Sequence, residues 1–223
     1  MAPVRRCRLR ELFTAVLLAA GSTGCLSSAM QLGAAPTPRD TTEWGLSVNG
    51  LLYERGRQHA LLPSPELSWR RGRDEDSDFG IRAYLLGLEA GTRHRLLATP
   101  RFTLGAMPSF ELAYTPITNN TTELLHARLH GSLLGDWRLA TRWRLLLGGR
   151  LTFGGTGPLT TLRGLTDGAS WLLQPTGAAA VAFDVTSGTC VRLEAGAGVP
   201  VDIKEGPRTL VGHAGLTVQW AAE

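Results

Sequence analysis

The sequence predicts an all-β protein: an antiparallel up-and-down β-barrel of about 8–10 strands, set behind an N-terminal export and tether segment. Three observations predict it. Apolar and polar residues alternate over long runs, no run keeps a helical period, and tight turns or longer polar loops punctuate the runs. A chain of 223 residues that loses an N-terminal segment retains roughly 200, enough for one barrel.

Residues 1–24 read as a signal peptide. Arg5, Arg6, Arg8 and Arg10 give the positive start, and Leu12 to Ala20 the apolar stretch. That stretch of nine residues is far below the roughly 20 a spanning helix needs. Ser22-Thr23-Gly24-Cys25 follows and resembles the small-small-Cys end of the bacterial lipoprotein lipobox, with serine where that family usually has leucine. The resemblance implies cleavage before Cys25 and diacylation of its thiol. Leu26 after the cysteine, in place of aspartate, is compatible in that family with sorting to the outer membrane. Residues 25–42 are small, polar and proline-containing and are expected to form a flexible lipid-anchored tether, leaving 43–223 as the barrel domain.

The barrel's strands are read from period two, because successive side chains on a strand point to opposite faces. In 101–115, Phe102, Leu104, Ala106, Pro108, Phe110, Leu112 and Tyr114 take one face, and Arg101, Thr103, Ser109 and Glu111 the other. The pattern recurs in 124–139, 142–154, 170–186, 189–202 and 209–220, and less cleanly around 44–52, 62–71 and 79–88. This gives nine strands. A closed single-chain membrane barrel takes an even number, so residues 93–98 stand as a candidate tenth, or 62–71 as a segment that does not span. Leu139-Ala140-Thr141 and Ser187-Gly188 read as tight turns; 70–78, 116–122, 155–169 and 203–208 read as longer loops. Pro108, Pro175 and Pro200 fall inside alternating runs and must sit where the ladder is interrupted.

Alternation does not say which face is outside. An apolar interior would make a lipid-anchored soluble barrel holding a greasy ligand, as lipocalins do. A polar interior would make a membrane barrel. Strand length, with alternation over 12–16 residues in several runs, favours the second. So does the charge of the polar face, where Arg82, Glu111, His126, Arg128, His130, Arg138, Arg144, Arg150, Asp184, Arg192 and Glu194 are expected to line a lumen. Trp44, Tyr114, Trp137, Trp143, Trp171 and Trp220 lie near strand ends on the apolar face, the placement of an aromatic girdle. Lys204 is the sole lysine, whereas water-facing sheets use lysine freely. In pattern, residues 43–222 resemble the small outer-membrane β-barrel proteins of Gram-negative bacteria. The resemblance implies an envelope protein with a structural, adhesive or narrow transport role, outer-membrane lipid as its surroundings, and loops 116–122 and 155–169 as contact surfaces.

No motif points to an enzyme or a cofactor. His126, Arg128, His130 and Ser132 share one face of one strand, but neighbours on that face are roughly 7 Å apart, beyond the reach of a nucleophile and its base. The glycine-rich stretches lack phosphate-loop spacing. Nothing fixes His126, His130 and His213 as a metal site. The net charge of +4 and scattered arginines do not make a nucleic-acid surface. Cys190 is the body's lone thiol and reads as structural.

Overall fold

A computed structural model describes Met30 and residues 33–55, 58–115, 124–158, 170–204, 206–207 and 210–222. The strands are β1 (Thr42–Arg55), β2 (Gln58–Gly72), β3 (Ser77–Tyr84), β4 (Gly87–Ala98), β5 (Phe102–Thr115), β6 (Leu124–Arg138), β7 (Trp143–Pro158), β8 (Ser170–Asp184), β9 (Thr189–Gly198), β10 (Val201–Asp202), β11 (Gly206–Pro207) and β12 (Val211–Ala222). Each of β1 to β8 pairs antiparallel with the next, β9 pairs with β12, and β12 returns to β1. Ten strands therefore close a ring with no free edge along its circumference. The short β10–β11 hairpin extends β8 above β9, through Val201↔Leu173 and Asp202↔Leu172.

The even count corrects the nine read from the sequence. Residues 79–88, taken as one strand, are two: the chain reverses at Leu85-Leu86, so Leu86 and Leu88 break the alternation because a turn separates them. The candidate tenth strand at 93–98 is the second half of β4, and the weak 62–71 segment is the body of the 15-residue β2. The loop expected over 70–78 shrinks to residues 73–76.

One end of the barrel carries short connections, 73–76, 99–101, 139–142 and 185–188, together with both β1's start and β12's end. The connections at the other end are uneven. The β3–β4 turn is tight, whereas β5–β6, β7–β8 and β9–β12 are joined by longer stretches. The loops 116–122 and 159–169 lie outside the described residues, and 155–158 belong to β7.

The prolines sit where the ladder lacks a partner for their missing N–H. Across from Met107 and Pro108 the β4–β5 pairing is interrupted between Gly91↔Ser109 and His94↔Ala106. Pro175 lies where β8 changes partner from β9 to β10, and Pro200 lies in the gap between those two strands. Pro63 and Pro65 fall in the part of β2 that runs past the end of β3.

Burial decides the orientation that alternation left open. Among the described residues, 24 polar or charged side chains are buried against nine hydrophobic ones. The large apolar side chains point outward: Leu46, Val48, Leu67, Leu129, Leu133, Leu151, Leu193 and Leu216 are all exposed. A barrel with a greasy interior for an apolar ligand is not what forms; the interior is polar and the exterior apolar. The cause is the pleat, which sends every second side chain into a lumen where arginines and carboxylates pair.

A second difference concerns the stretch expected to be a free tether. Met30, Ala34 and Thr37 are buried, and the described part of this segment runs inside the barrel from the end that carries the short turns. Its residues are small enough to share the lumen with the wall, and lumen side chains bond its backbone. The chain then reverses at Pro38–Thr41. Thr41 N–H donates to the Pro38 carbonyl at 3.1 Å, and Asp40 adopts φ +60°, a left-handed conformation that aspartate tolerates better than most residues. From there it enters β1.

Candidate functional site: the charged lumen

Strand register builds the lumen's central belt. Facing pairs run Ser68↔Arg82, Arg82↔Glu89, Glu89↔Glu111, Glu111↔Arg128 and Arg128↔Gly154. Opposite charges therefore meet across strands, the favourable arrangement on a sheet. The one like-charged pair, Glu89 and Glu111, is compensated on both sides. Glu89 accepts from Arg82, from Arg150 Nη2 at 3.3 Å and from the Ser109 hydroxyl at 2.6 Å. Arg82 also reaches Glu66 Oε2 at 3.3 Å, and Arg150 Nε donates to Ser132 Oγ at 3.1 Å. Glu111 accepts from the Tyr84 phenol and contacts His130 Nε2 at 2.8 Å. The Arg82 guanidinium lies 5.7 Å from the centre of the Tyr84 ring. Gly154 makes room for Arg128: a Cβ there would come within 2.6 Å of Arg128 Cγ.

His130 Nδ1 faces Thr152 Oγ1 at 2.8 Å, completing a hydroxyl–imidazole–carboxylate line with Glu111. That line resembles a nucleophile relay in its atoms only. Thr152 is 4 % and Glu111 1 % exposed, so a substrate has no way to the hydroxyl. Ser132, read beside His130 on the same strand, bonds Arg150 instead. The line works as a packed polar network, whose members hold each other in place. Tyr84→Phe is expected to remove one donor from a buried carboxylate and cost roughly 1.5–3 kcal/mol, read by denaturant unfolding in detergent micelles.

Toward the short-turn end a second cluster gathers. Asp78 accepts from Arg70 Nε at 2.9 Å and from Arg93 Nη2 at 2.6 Å. Glu43 lies 3.8 Å from Arg93. A third joins Arg144 to Asp136 at 3.0 Å and to Asp184 at 2.8 Å, beside Cys190. A fourth pairs Glu194 with His213 Nε2 at 3.2 Å. In the turn before β3, the Asp74 carboxyl accepts from the Ser77 hydroxyl at 2.7 Å, which holds it below its ordinary value.

The lumen residues expected from the sequence fall into three groups. Arg82, Glu111, His126, His130, Arg150, Arg192 and Glu194 are buried inside. Arg128, Arg144 and Asp184 are half-buried, the last two near the mouth. Arg138 is exposed at the rim, because β6 ends there and its side chain leaves the barrel's cover. The sequence reading missed Glu66, Arg70, Asp78, Glu89 and Arg93, which carry much of the ion pairing. Glu66 and Arg70 stood on the polar face of the weak 62–71 segment, now β2, while Asp78, Glu89 and Arg93 lie on β3 and β4, whose turn was not recognised. His126 contacts Thr156 at 2.8 Å and His213 contacts Glu194, so the three histidines do not converge. Among the described residues, no group of three or more ligating side chains is placed to hold a metal.

The aromatics form a row around the short-turn end. Trp44 faces both Trp220 and Trp69 in register. Trp69 meets Phe79 edge-on at 6.3 Å; Phe102 and Trp137 lie 4.4 Å apart, and Trp143 and Phe183 4.8 Å apart. At the opposite end, Trp171 stacks on Phe153 at 5.3 Å and Tyr114 lies near the end of β5. All six aromatics expected for the girdle are on the outer face, and Trp69, Phe79, Phe102 and Phe183 join them.

No family model matches this sequence. No characterised relative matches it either. Solved structures with a similar fold include surface protein A of Neisseria, at 12% identity and TM-score 0.42, covering 80% of this chain and 96% of that one. An outer-membrane channel from Pseudomonas putida F1 is similar at 10% identity and TM-score 0.46, covering 88% and 100%. The translocator domain of the autotransporter NalP from Neisseria meningitidis is similar at 11% identity and TM-score 0.44, covering 97% of each chain.

Proposed function

We propose that this chain is an outer-membrane β-barrel protein of the cell envelope, with a structural, adhesive or narrow transport role, and that Cys25 carries a lipid anchor. The carrying observation is the inversion of polarity: ionised side chains are packed inside a closed ring of ten strands, and leucines, valines and aromatics are displayed outside. In water such an exterior would be an apolar surface far larger than soluble monomers present. In a bilayer it is the required surface, because the strands of a closed ring pair their backbone groups with one another. The band of tryptophan and phenylalanine at one end suits the headgroup layer. A wide pore does not fit a lumen filled by paired side chains, so any passage would be narrow.

The test separates the barrel from the anchor. The Cys25→Ala variant is expected to stay in the membrane pellet after alkaline carbonate extraction, and to migrate as a compact species on unheated gels. Release into detergent-free buffer would overturn the integral-barrel reading. Wild-type mature protein whose N-terminal peptide carries no added acyl groups by mass spectrometry would overturn lipidation alone.

A further inference from the structure

We infer that the inner wall of the barrel is a binding groove for an extended peptide, and that Met30 and residues 33–38 of the same chain occupy it. The inference goes beyond the envelope role and does not depend on where the barrel resides. Three features of the wall point to it.

First, wall side chains bond the backbone of the segment as they would bond a peptide ligand. Met30 N–H donates to Glu194 Oε1 at 2.7 Å, and Thr37 N–H donates to Asp78 Oδ2 at 2.7 Å. Arg93 donates to the Gly33 carbonyl at 2.9 Å and to Thr37 Oγ1 at 3.4 Å. Second, the polar lumen carries an apolar stripe where the segment lies. Met107, Leu134, Leu146, Ala180 and Ala182 form one buried cluster with Met30 and Ala34. Of the nine buried hydrophobic residues described, seven belong to this cluster. Leucines inside an ion-paired lumen are explained by a peptide that covers them, because they would otherwise face water. Third, the wall is cut back to admit the segment's backbone: a Cβ on Gly105 would stand 2.6 Å from the Ala34 carbonyl oxygen.

The segment is a guest rather than a strand. Among the described residues, its one bridge to the sheet is Arg39↔Gly72, beyond Pro38, and the ten strands close without it. It enters from a vestibule of about 680 Å³ at the short-turn end, beside Cys190, which packs against the same apolar cluster. Around Met30 the remaining void is about 10 Å³, room for no more than one water. The groove thus selects an extended peptide with a long apolar side chain followed, four residues on, by a small one.

The test uses the full chain and a variant lacking residues 26–38, both refolded in detergent micelles, with a synthetic peptide copying residues 30–38 as the probe. The variant is expected to fold, to bind the peptide in trans, and to bind a Met30→Asp peptide at least tenfold more weakly. Adding Gly105→Leu to the variant is expected to abolish binding. In the otherwise intact chain, Met30→Asp is expected to raise the rate of maleimide attachment at Cys190, resolved by peptide mass spectrometry, at least fivefold. A folded variant that ignores the peptide, or binds both peptides equally, would overturn the groove. If the shortened chain does not fold, the Met30→Asp chain decides: unchanged Cys190 labelling sinks the proposal, and faster labelling reversed by the added wild-type peptide supports it. Failure of membrane insertion leaves these readouts intact, so the two proposals fail separately.

Discussion

Replacing Glu89 by alanine is expected to cost about 3–5 kcal/mol, the range found when one partner of a buried ion pair is removed. Glu89 is 5 % exposed and receives donors from Arg82, Arg150 and Ser109. Its loss takes a shared carboxylate from two guanidiniums, themselves 5 % exposed. Arg82 keeps Glu66 and Arg150 keeps Ser132, which limits the damage but leaves positive charge uncompensated. Glu89→Gln preserves the shape and one of the two acceptor oxygens and is expected to fall between alanine and wild type. The control is Asp76→Ala. Asp76 pairs with Arg95 at 2.6 Å but is largely exposed in a turn, so its removal is expected to cost under about 1 kcal/mol. Equilibrium unfolding by urea in lipid vesicles measures all three. Equal costs for Glu89→Ala and Asp76→Ala would mean that the lumen is wet and that its ion pairs are screened.

How much of this was legible in the sequence depends on which physical signal each element emits. β5 and β6 were plain because Phe102 to Tyr114 and Leu125 to Trp137 alternate over most of their length. β3 and β4 were merged because their turn, Leu85-Leu86, has no glycine, proline or asparagine to mark it. That merger left Glu89 and Arg93 unassigned, while the dense mixed charge of 70–78 put Asp78 in a supposed loop. The belt's strongest acceptor and the residue that holds the inner segment were therefore both missed. The apolar inner stripe was invisible for a different reason. Leu133-Leu134 and Leu145-Leu146-Leu147 place leucine on both faces of a strand, and period two treats the inward member as noise. It acquires meaning only with Met30 and Ala34 in contact. Gly33-Ala34-Ala35-Pro36-Thr37-Pro38 has the composition of a free linker, and also that of a backbone thin enough to lie inside a barrel. Composition reports the lack of bulky side chains, and the wall's donors and acceptors decide where such a stretch goes.

The direction of the apolar face yields the second large effect, since one substitution made at two heights has two different outcomes. Leu129 on β6 is 59 % exposed and Leu139, in the turn that follows, is 64 % exposed. To a soluble protein these are equivalent surface positions, and arginine at either would change stability by no more than about 0.5 kcal/mol. In a bilayer they differ. Leu129 faces Phe110 and Phe153 between the aromatic rows at the two ends, so its outward side chain meets hydrocarbon. Leu129→Arg is then expected to cost about 2–4 kcal/mol, as for a cation near the midplane of a barrel's lipid face. Leu139 lies beyond Trp137 and Trp143, outside the aromatic row, where arginine is expected to cost about 0–1 kcal/mol. The difference between the two, measured in vesicles, reports depth in the membrane rather than exposure. In short-chain detergent, which adapts around a charge, the gap should shrink. Matching small costs at both positions in vesicles would put the outer face in water and remove the basis for the membrane reading, however well the lumen is paired.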